Sequence, residues 1–287
     1  MTHSIYVTTQ QRGLSLLRKL INISASSLKI HKLTVTEPYR QYNLRPQVHL
    51  FISAPYGEFK STLLSEVQEN YPSKLYTHLT FPSLIGSIDK STKQVIPAAA
   101  WEACNKLLLL DEFTATRPSL VTETLLQLLE GQSYSRKIAV WSPVQNNENG
   151  DLYFRVKDGS LEVKTRFAAI IATMKNIKKS SEYTFKALLS RCVPFRYELS
   201  KAELDQVLDG MCLFEKQEYE TPEEITISIE DYKHIRKMLD DEASKSRRDI
   251  RGIFARCVGD CCRVFAVLGA YDDELYREIL RLKASYC

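Results

Sequence analysis

Val48-His49-Leu50-Phe51-Ile52-Ser53-Ala54-Pro55-Tyr56-Gly57-Glu58-Phe59-Lys60-Ser61-Thr62 decides how the chain is read. Its first five residues are a short apolar run rich in β-formers. Ala54, Pro55 and Gly57 then break the pattern. A helical stretch follows over 60–69, so the order is strand, tight loop, helix. A helix entered from such a loop presents free backbone N–H groups, which favour an anion.

The loop spells the phosphate-loop signature G-x-x-x-x-G-K-[ST] incompletely. Ala54 stands at the first glycine and Phe59 at the second, while Gly57, Lys60 and Ser61 remain. In that spelling Lys60 is expected to reach the β- and γ-phosphates of a nucleotide, and Ser61 to bind Mg²⁺. An exposed Lys-Ser pair at a helix start accounts for this segment about as well when it is taken alone. The second element shifts the balance. Leu107-Leu108-Leu109-Leu110 leads into Asp111-Glu112, 51 residues after Lys60. A fully apolar run of this kind reads as a parallel strand buried on both faces. Its two acids then fall at the carboxyl edge of the sheet, where ligands bind. Asp111 is expected to hold Mg²⁺ through water, and Glu112 to orient and polarise an attacking water.

Working outward, strands are expected at 75–81, at Phe167–Thr173 and at Val193–Leu199, with helices over 118–130 and 184–190. Residues 135–168 alternate in short runs broken by Asn146–Asp151 and by Asp158-Gly159, which are hairpin signals. Residues 13–34 read as a helical or arm-like segment. Beyond Ser200 the pattern turns wholly helical: Ser200 with Glu203 is a capping box, and 229–243 and 248–284 follow, with a break near Gly269-Ala270. Strands alternating with helices, then helices alone, indicate an α/β domain followed by a small helical one.

Composition sets wider bounds. The 287 residues are 44% hydrophobic and 26% charged, which excludes disordered, collagen-like and coiled-coil chains. No apolar run approaches the ~18–20 residues of a membrane span, and the N-terminus does not read as a signal peptide. The seven cysteines include no C-x-x-C pair, and the count is odd. On a helix Cys257 and Cys261 share a face while Cys262 turns away, so core cysteines are expected rather than a zinc site, in a reducing, cytoplasmic compartment. The net charge of +4 is unevenly spread. Residues 1–50 carry seven Lys/Arg against Glu37, residues 157–191 eight against three acids, and residues 201–242 thirteen acids against five bases. Such basic regions contact phosphates, face solvent or meet an acidic region of a neighbouring subunit.

Together the motifs resemble those of the AAA+ ATPases, and within them the minichromosome maintenance (MCM) helicases and their relatives. The resemblance covers about residues 46–270. It is carried by Leu84-Ile85-Gly86-Ser87-Ile88-Asp89, Ile96-Pro97-Ala98-Ala99-Ala100-Trp101 and Asp111-Glu112-Phe113 between the two nucleotide motifs. Members of that clade commonly carry a small residue before the loop lysine, so the bulky Phe59 is a departure that bears on hydrolysis rate. Ala187-Leu188-Leu189-Ser190-Arg191 is similar to the arginine-finger motif, which implies that Arg191 reaches a nucleotide held by a neighbouring subunit. Ile170 to Asn176 resembles the sensor-1 strand; Asn176 takes the sensor position with a one-residue shift, and Lys175 takes it by direct alignment. Arg248-Asp249-Ile250-Arg251-Gly252-Ile253 resembles the sensor-2 helix start, with Arg251 preferred and Arg248 the alternative.

The resemblance implies an α/β chain: an αβα P-loop ATPase domain with a parallel sheet over 46–199, and an α-helical lid over 200–287. A helical, basic arm over 1–45 precedes them. ATP is held by Ala54, Pro55, Tyr56, Gly57, Glu58, Phe59, Lys60, Ser61, Thr62 and Arg251. Ser61 and Asp111 hold Mg²⁺, and Glu112, Arg191 and Asn176 are catalytic. The insertion at about 135–168 is a hairpin that in this clade enters a ring's pore and contacts DNA. The expected protein is a homo-oligomeric, hexameric ring motor on DNA, recruited by partner proteins and independent of membranes. Two alternatives stand beside it. One is a protein-remodelling ATPase of the same clade, as in chelatase-associated or transcription-activator ATPases. The other is a nucleotide-gated assembly or loader protein with weak turnover.

Overall fold

The computed structural model describes residues 13–77, 79–89, 91–92, 95–113, 120–137, 146–173, 183–196, 198–245 and 250–285. In chain order the elements begin with α1 (Gly13–Ser26), a 3₁₀ turn (Ser27–Lys29), β1 (Lys32–Glu37), β2 (Arg40–Leu44), β3 (Leu50–Ser53), α2 (Lys60–Asn70) and β4 (Ser73–Tyr76). Then come α3 (Phe81–Ile85), β5 (Ser87–Ile88), β6 (Val95–Ile96), α4 (Ala99–Glu102), β7 (Leu107–Leu110), α5 (Leu120–Leu129), β8 (Tyr134–Lys137) and β9 (Asn146–Asn149). The remainder is β10 (Leu152–Lys157), β11 (Ser160–Lys164), β12 (Ala168–Thr173), α6 (Tyr183–Arg191), β13 (Val193–Arg196), α7 (Lys201–Leu208), β14 (Glu224–Ile227), α8 (Ile229–Lys245), α9 (Arg251–Leu268) and α10 (Asp273–Ala284).

Five strands form one sheet in the order β13-β3-β12-β7-β4, every pairing parallel. Side chains along a strand alternate between faces, and here each face has its own core. Leu50, Ile52, Leu107, Leu109 and Ile170 join a cluster with α1, α2 and the C-terminal helices. Phe51, Leu108, Leu110, Ala169 and Ile171 join a second cluster with α3 to α6. All four leucines of β7 are buried, as an apolar run covered on both faces requires. The chain is therefore α/β, with an all-parallel sheet between helical layers.

Four expectations are corrected. Residues 13–34 are not one helical segment: α1 ends at Ser26, and Leu33 and Val35 are the buried positions of β1, whose alternation with Thr34 and Thr36 is a strand signal. Strands do not stop at Ser200, because Glu224–Ile227 pairs in parallel with β1. Only Ile227 of that strand is buried, and its partner lies almost two hundred residues earlier, so no local pattern announced it. Residues 13–45 hold more than a helical arm, since α1 contributes Leu14, Leu17, Leu20 and Ile21 to the core that also contains α8 to α10. The insertion after α5 is larger than one hairpin, an antiparallel sheet in the order β8-β11-β10-β9. The cysteines do enter the core, with Cys257, Cys261 and Cys262 all buried. Among the described residues no helix is long and apolar enough to cross a membrane.

At the amino edge of the sheet, His49 is buried with both ring nitrogens engaged. The Ala169 N–H donates to Nδ1 at 3.1 Å, so Nε2 carries the proton and donates to the Leu129 carbonyl at 3.1 Å. A second ring proton would face the Ala169 N–H. Burial, reinforced by the nearby Arg45, Arg263 and Lys283 cations, holds the His49 pKa well below the usual 6.5. The unfolded chain then binds a proton that the folded chain refuses. Stability is full above pH 6.5 and falls as pH drops below it, at about 1.4 kcal/mol per pH unit for one such group. Denaturant titrations between pH 7 and 5 should show this slope, and His49→Gln should flatten it.

Candidate functional site

The site forms where β3 and β7 end on the carboxyl edge of the sheet. β12 lies between them, and the Ala54 N–H donates to its Thr173 carbonyl at 3.3 Å. The loop from Ala54 to Phe59 then turns the chain into α2. Gly57 adopts a φ of 85°, which an L side chain disfavours, and Phe59 adopts 53°. Left-handed backbone at a non-glycine residue costs about 1–2 kcal/mol. At Phe59 it is accompanied by packing of the ring against the main core. The glycine that the signature places here is thus replaced by a residue held in the same backbone region by its side chain.

Lys60 opens α2, and its ammonium donates to the carbonyls of Ala54 and Pro55 at 3.0 and 2.5 Å. It therefore lies folded across its own loop, where phosphate oxygens would compete with those carbonyls. Burial pulls its pKa down, and the carboxylates of Asp111, Glu58 and Glu112 push it back up. Phe59 makes no side-chain cap bond at the start of the helix, where an anion is favoured.

Asp111 and Glu112 follow β7 directly. The Asp111 N–H donates to Tyr76 O and the Phe113 N–H to Ala172 O, both at 2.9 Å. The turn between them is sharp, and Glu112 takes a φ of 51°. Of the four non-glycine residues with positive φ among the described residues, Phe59 and Glu112 both lie here. Strain concentrated in this way marks functional sites. The two halves meet through Ser61, whose hydroxyl donates to Asp111 Oδ2 at 2.5 Å, while Oδ1 accepts from the Glu112 N–H at 2.9 Å. A hydroxyl and a carboxylate converging beside a lysine form a donor set of hard oxygens, which suits Mg²⁺.

Other expected residues lie apart. Tyr56 is 90% exposed at the loop tip. Thr62 is exposed on α2. Arg191 ends α6 just before β13, and the register Val193↔Leu50 puts it at the amino edge, opposite the loop of its own chain. There it pairs with Glu130 Oε1 at 2.6 Å. Arg251 is the first residue of α9. Asn176, Lys175 and Arg248 lie outside the described residues. Two contacts had no local signal. Glu58 Oε2 accepts from the Leu199 N–H at 2.8 Å, tying the loop to the start of the C-terminal region. Glu130 holds Arg191 across 61 residues of sequence, a pairing that only the packing of α5 against α6 creates.

Comparison of the chain with protein-family models and with curated proteins gives no match. On the phosphate-loop reading of the sequence, Lys60→Ala should weaken ATP binding by at least about tenfold, because a charge-assisted contact is worth about 1.5–3 kcal/mol. Calorimetric titration of the folded variant checks this, and wild-type affinity would remove the loop from the site.

Proposed function

We propose that the chain is an ATP-hydrolysing, oligomeric AAA+ motor of MCM-like type acting on DNA. The observation that carries this reading is the convergence of Lys60, Ser61 and Asp111 at the carboxyl edge of a parallel sheet, with the Ser61 hydroxyl 2.5 Å from the Asp111 carboxylate. Lys60 would leave the Ala54 and Pro55 carbonyls to neutralise the β- and γ-phosphates. Ser61 and Asp111 would hold Mg²⁺, which supplies further charge neutralisation on the phosphate oxygens. Glu112 would orient and polarise the attacking water as general base. Arg191, at the opposite edge from its own loop, would serve the nucleotide of a neighbouring subunit.

A role on DNA is supported by the outer face of the small antiparallel sheet. Cross-strand partners share a face, so Lys137, Ser160 and Lys157 stand together, and beside them Ser135, Glu162 and Arg155. The Arg155 guanidinium sits 4.1 Å from the centroid of the Tyr153 ring. Cations beside aromatic rings suit a single strand, whose bases stack while its phosphates are neutralised. A second reading, a nucleotide-gated assembly protein with slow turnover, is favoured by Phe59 in the loop and by the inward pairing of Arg191. Protein remodelling in place of DNA work is the remaining alternative, and ATPase rates with and without single- and double-stranded DNA separate it.

Arg191→Ala tests the shared site. It should leave ATP binding near normal and reduce hydrolysis by about 10³-fold or more, the range for such fingers. Mixed with inactive Lys60→Ala, it should regain part of the activity, because some interfaces then pair an intact loop with an intact arginine. Wild-type hydrolysis by Arg191→Ala alone would remove the finger assignment.

A further inference from the structure

We propose that Glu130 is a positioning residue for Arg191: it holds the guanidinium withdrawn inside its own subunit, and Arg256 on α9 takes over the carboxylate when Arg191 swings out. This rests on the finger reading of Arg191 and adds to it the group that sets when the finger is available.

Arg191 is turned inward. Its Nη2 pairs with Glu130 Oε1 at 2.6 Å and its Nη1 donates to the Ala187 carbonyl at 2.9 Å. Its Nε is buried with no hydrogen-bond partner among the described residues, and only 18% of the side chain is exposed. A guanidinium so engaged cannot also stabilise charge on another subunit's γ-phosphate. It must first leave Glu130, whose side chain is 32% exposed, and give up an ion pair worth about 1 kcal/mol or less.

The structure supplies a replacement. Arg256 Nη2 stands 3.6 Å from the same Glu130 Oε1, on a side chain that is 44% exposed and free to close the gap. One carboxylate therefore faces two guanidiniums, from α6 and from α9. The helix that carries Arg256 is moored beside Arg191 by a further contact. Asp260, one turn beyond Arg256, forms an ion pair with Lys283 at 2.5 Å, and Lys283 donates to the Ser190 carbonyl at 2.9 Å. Both the Lys283 and Asp260 side chains are nearly fully buried. A shift of α9 that brings Arg256 closer to Glu130 would favour release of Arg191.

Steady-state ATP hydrolysis by the full chain, at saturating Mg²⁺-ATP and a protein concentration where it assembles, tests this. Glu130→Gln keeps the shape and removes the charge. It should raise kcat by up to about fivefold with KM unchanged, the span expected for losing a partly exposed ion pair. Arg256→Ala leaves Glu130 to Arg191 alone and should lower kcat by about two- to fivefold. The double variant should match Glu130→Gln, since Arg256 acts only through Glu130; a purely structural role would make the two effects add. An unchanged or lower kcat in folded Glu130→Gln, with Arg191→Ala inactive, would overturn the proposal and leave the finger reading standing. Full activity in Arg191→Ala would remove the finger reading and the proposal together. Should Glu130→Gln not fold, Arg256→Ala decides the matter, and a wild-type rate there overturns it.

Discussion

A sheet whose strands all run one way delivers every carboxyl end to a single edge, and the loop after β3 meets the acids after β7 for that reason. β12 lies between the two strands and receives the start of the loop through the bond from the Ala54 N–H to Thr173 O. The sheet can be this rigid because both of its faces are buried, by separate apolar clusters. The strain at Phe59 and Glu112, whose φ values are 53° and 51°, persists on that support. The price of that arrangement is desolvation of the Lys60 ammonium, which the carboxylates of Asp111, Glu58 and Glu112 only partly offset.

The opposite edge is governed by buried charge. His49 is neutral there, Arg45 is half-buried with its pKa lowered to about 9 by desolvation, and Lys283 is matched with Asp260. Arg263 ties Asp260 at 2.6 Å to the Arg45 carbonyl at 2.7 Å. These contacts join the C-terminal helices to the segment that enters β3, so the amino edge of the sheet is linked to α9. Removing one member of a buried pair is far more damaging than replacing both, which ties this region together as a unit.

The central part of the fold was legible because its signals are local. Leu107–Leu110 reads as a doubly covered strand from four letters, and Pro55 and Gly57 mark the turn before a helix. The spacing from Lys60 to Asp111 was informative because a parallel sheet turns sequence order into spatial adjacency. What escaped the sequence depends on distant partners. β14 is a strand only because β1 is beside it, and β1 was obscured by the helical pattern that runs into it from α1. The pairing of Arg191 with Glu130 follows from two helix ends meeting, which no spacing records. Phe59 stands where the signature has glycine, and only the backbone geometry shows that it keeps the left-handed conformation.

In the proposed function the loop and Asp111 bind nucleotide together, and the carboxylates would make that binding depend on the cation. Calorimetric titration of the wild-type chain with ATP, in excess Mg²⁺ and again in chelator, tests it most directly. The account predicts saturable binding with Mg²⁺ and a loss of about tenfold or more in affinity without it, the equivalent of about 1.4 kcal/mol. Equal affinity under both conditions, or no saturable binding at millimolar ATP with Mg²⁺, would contradict it.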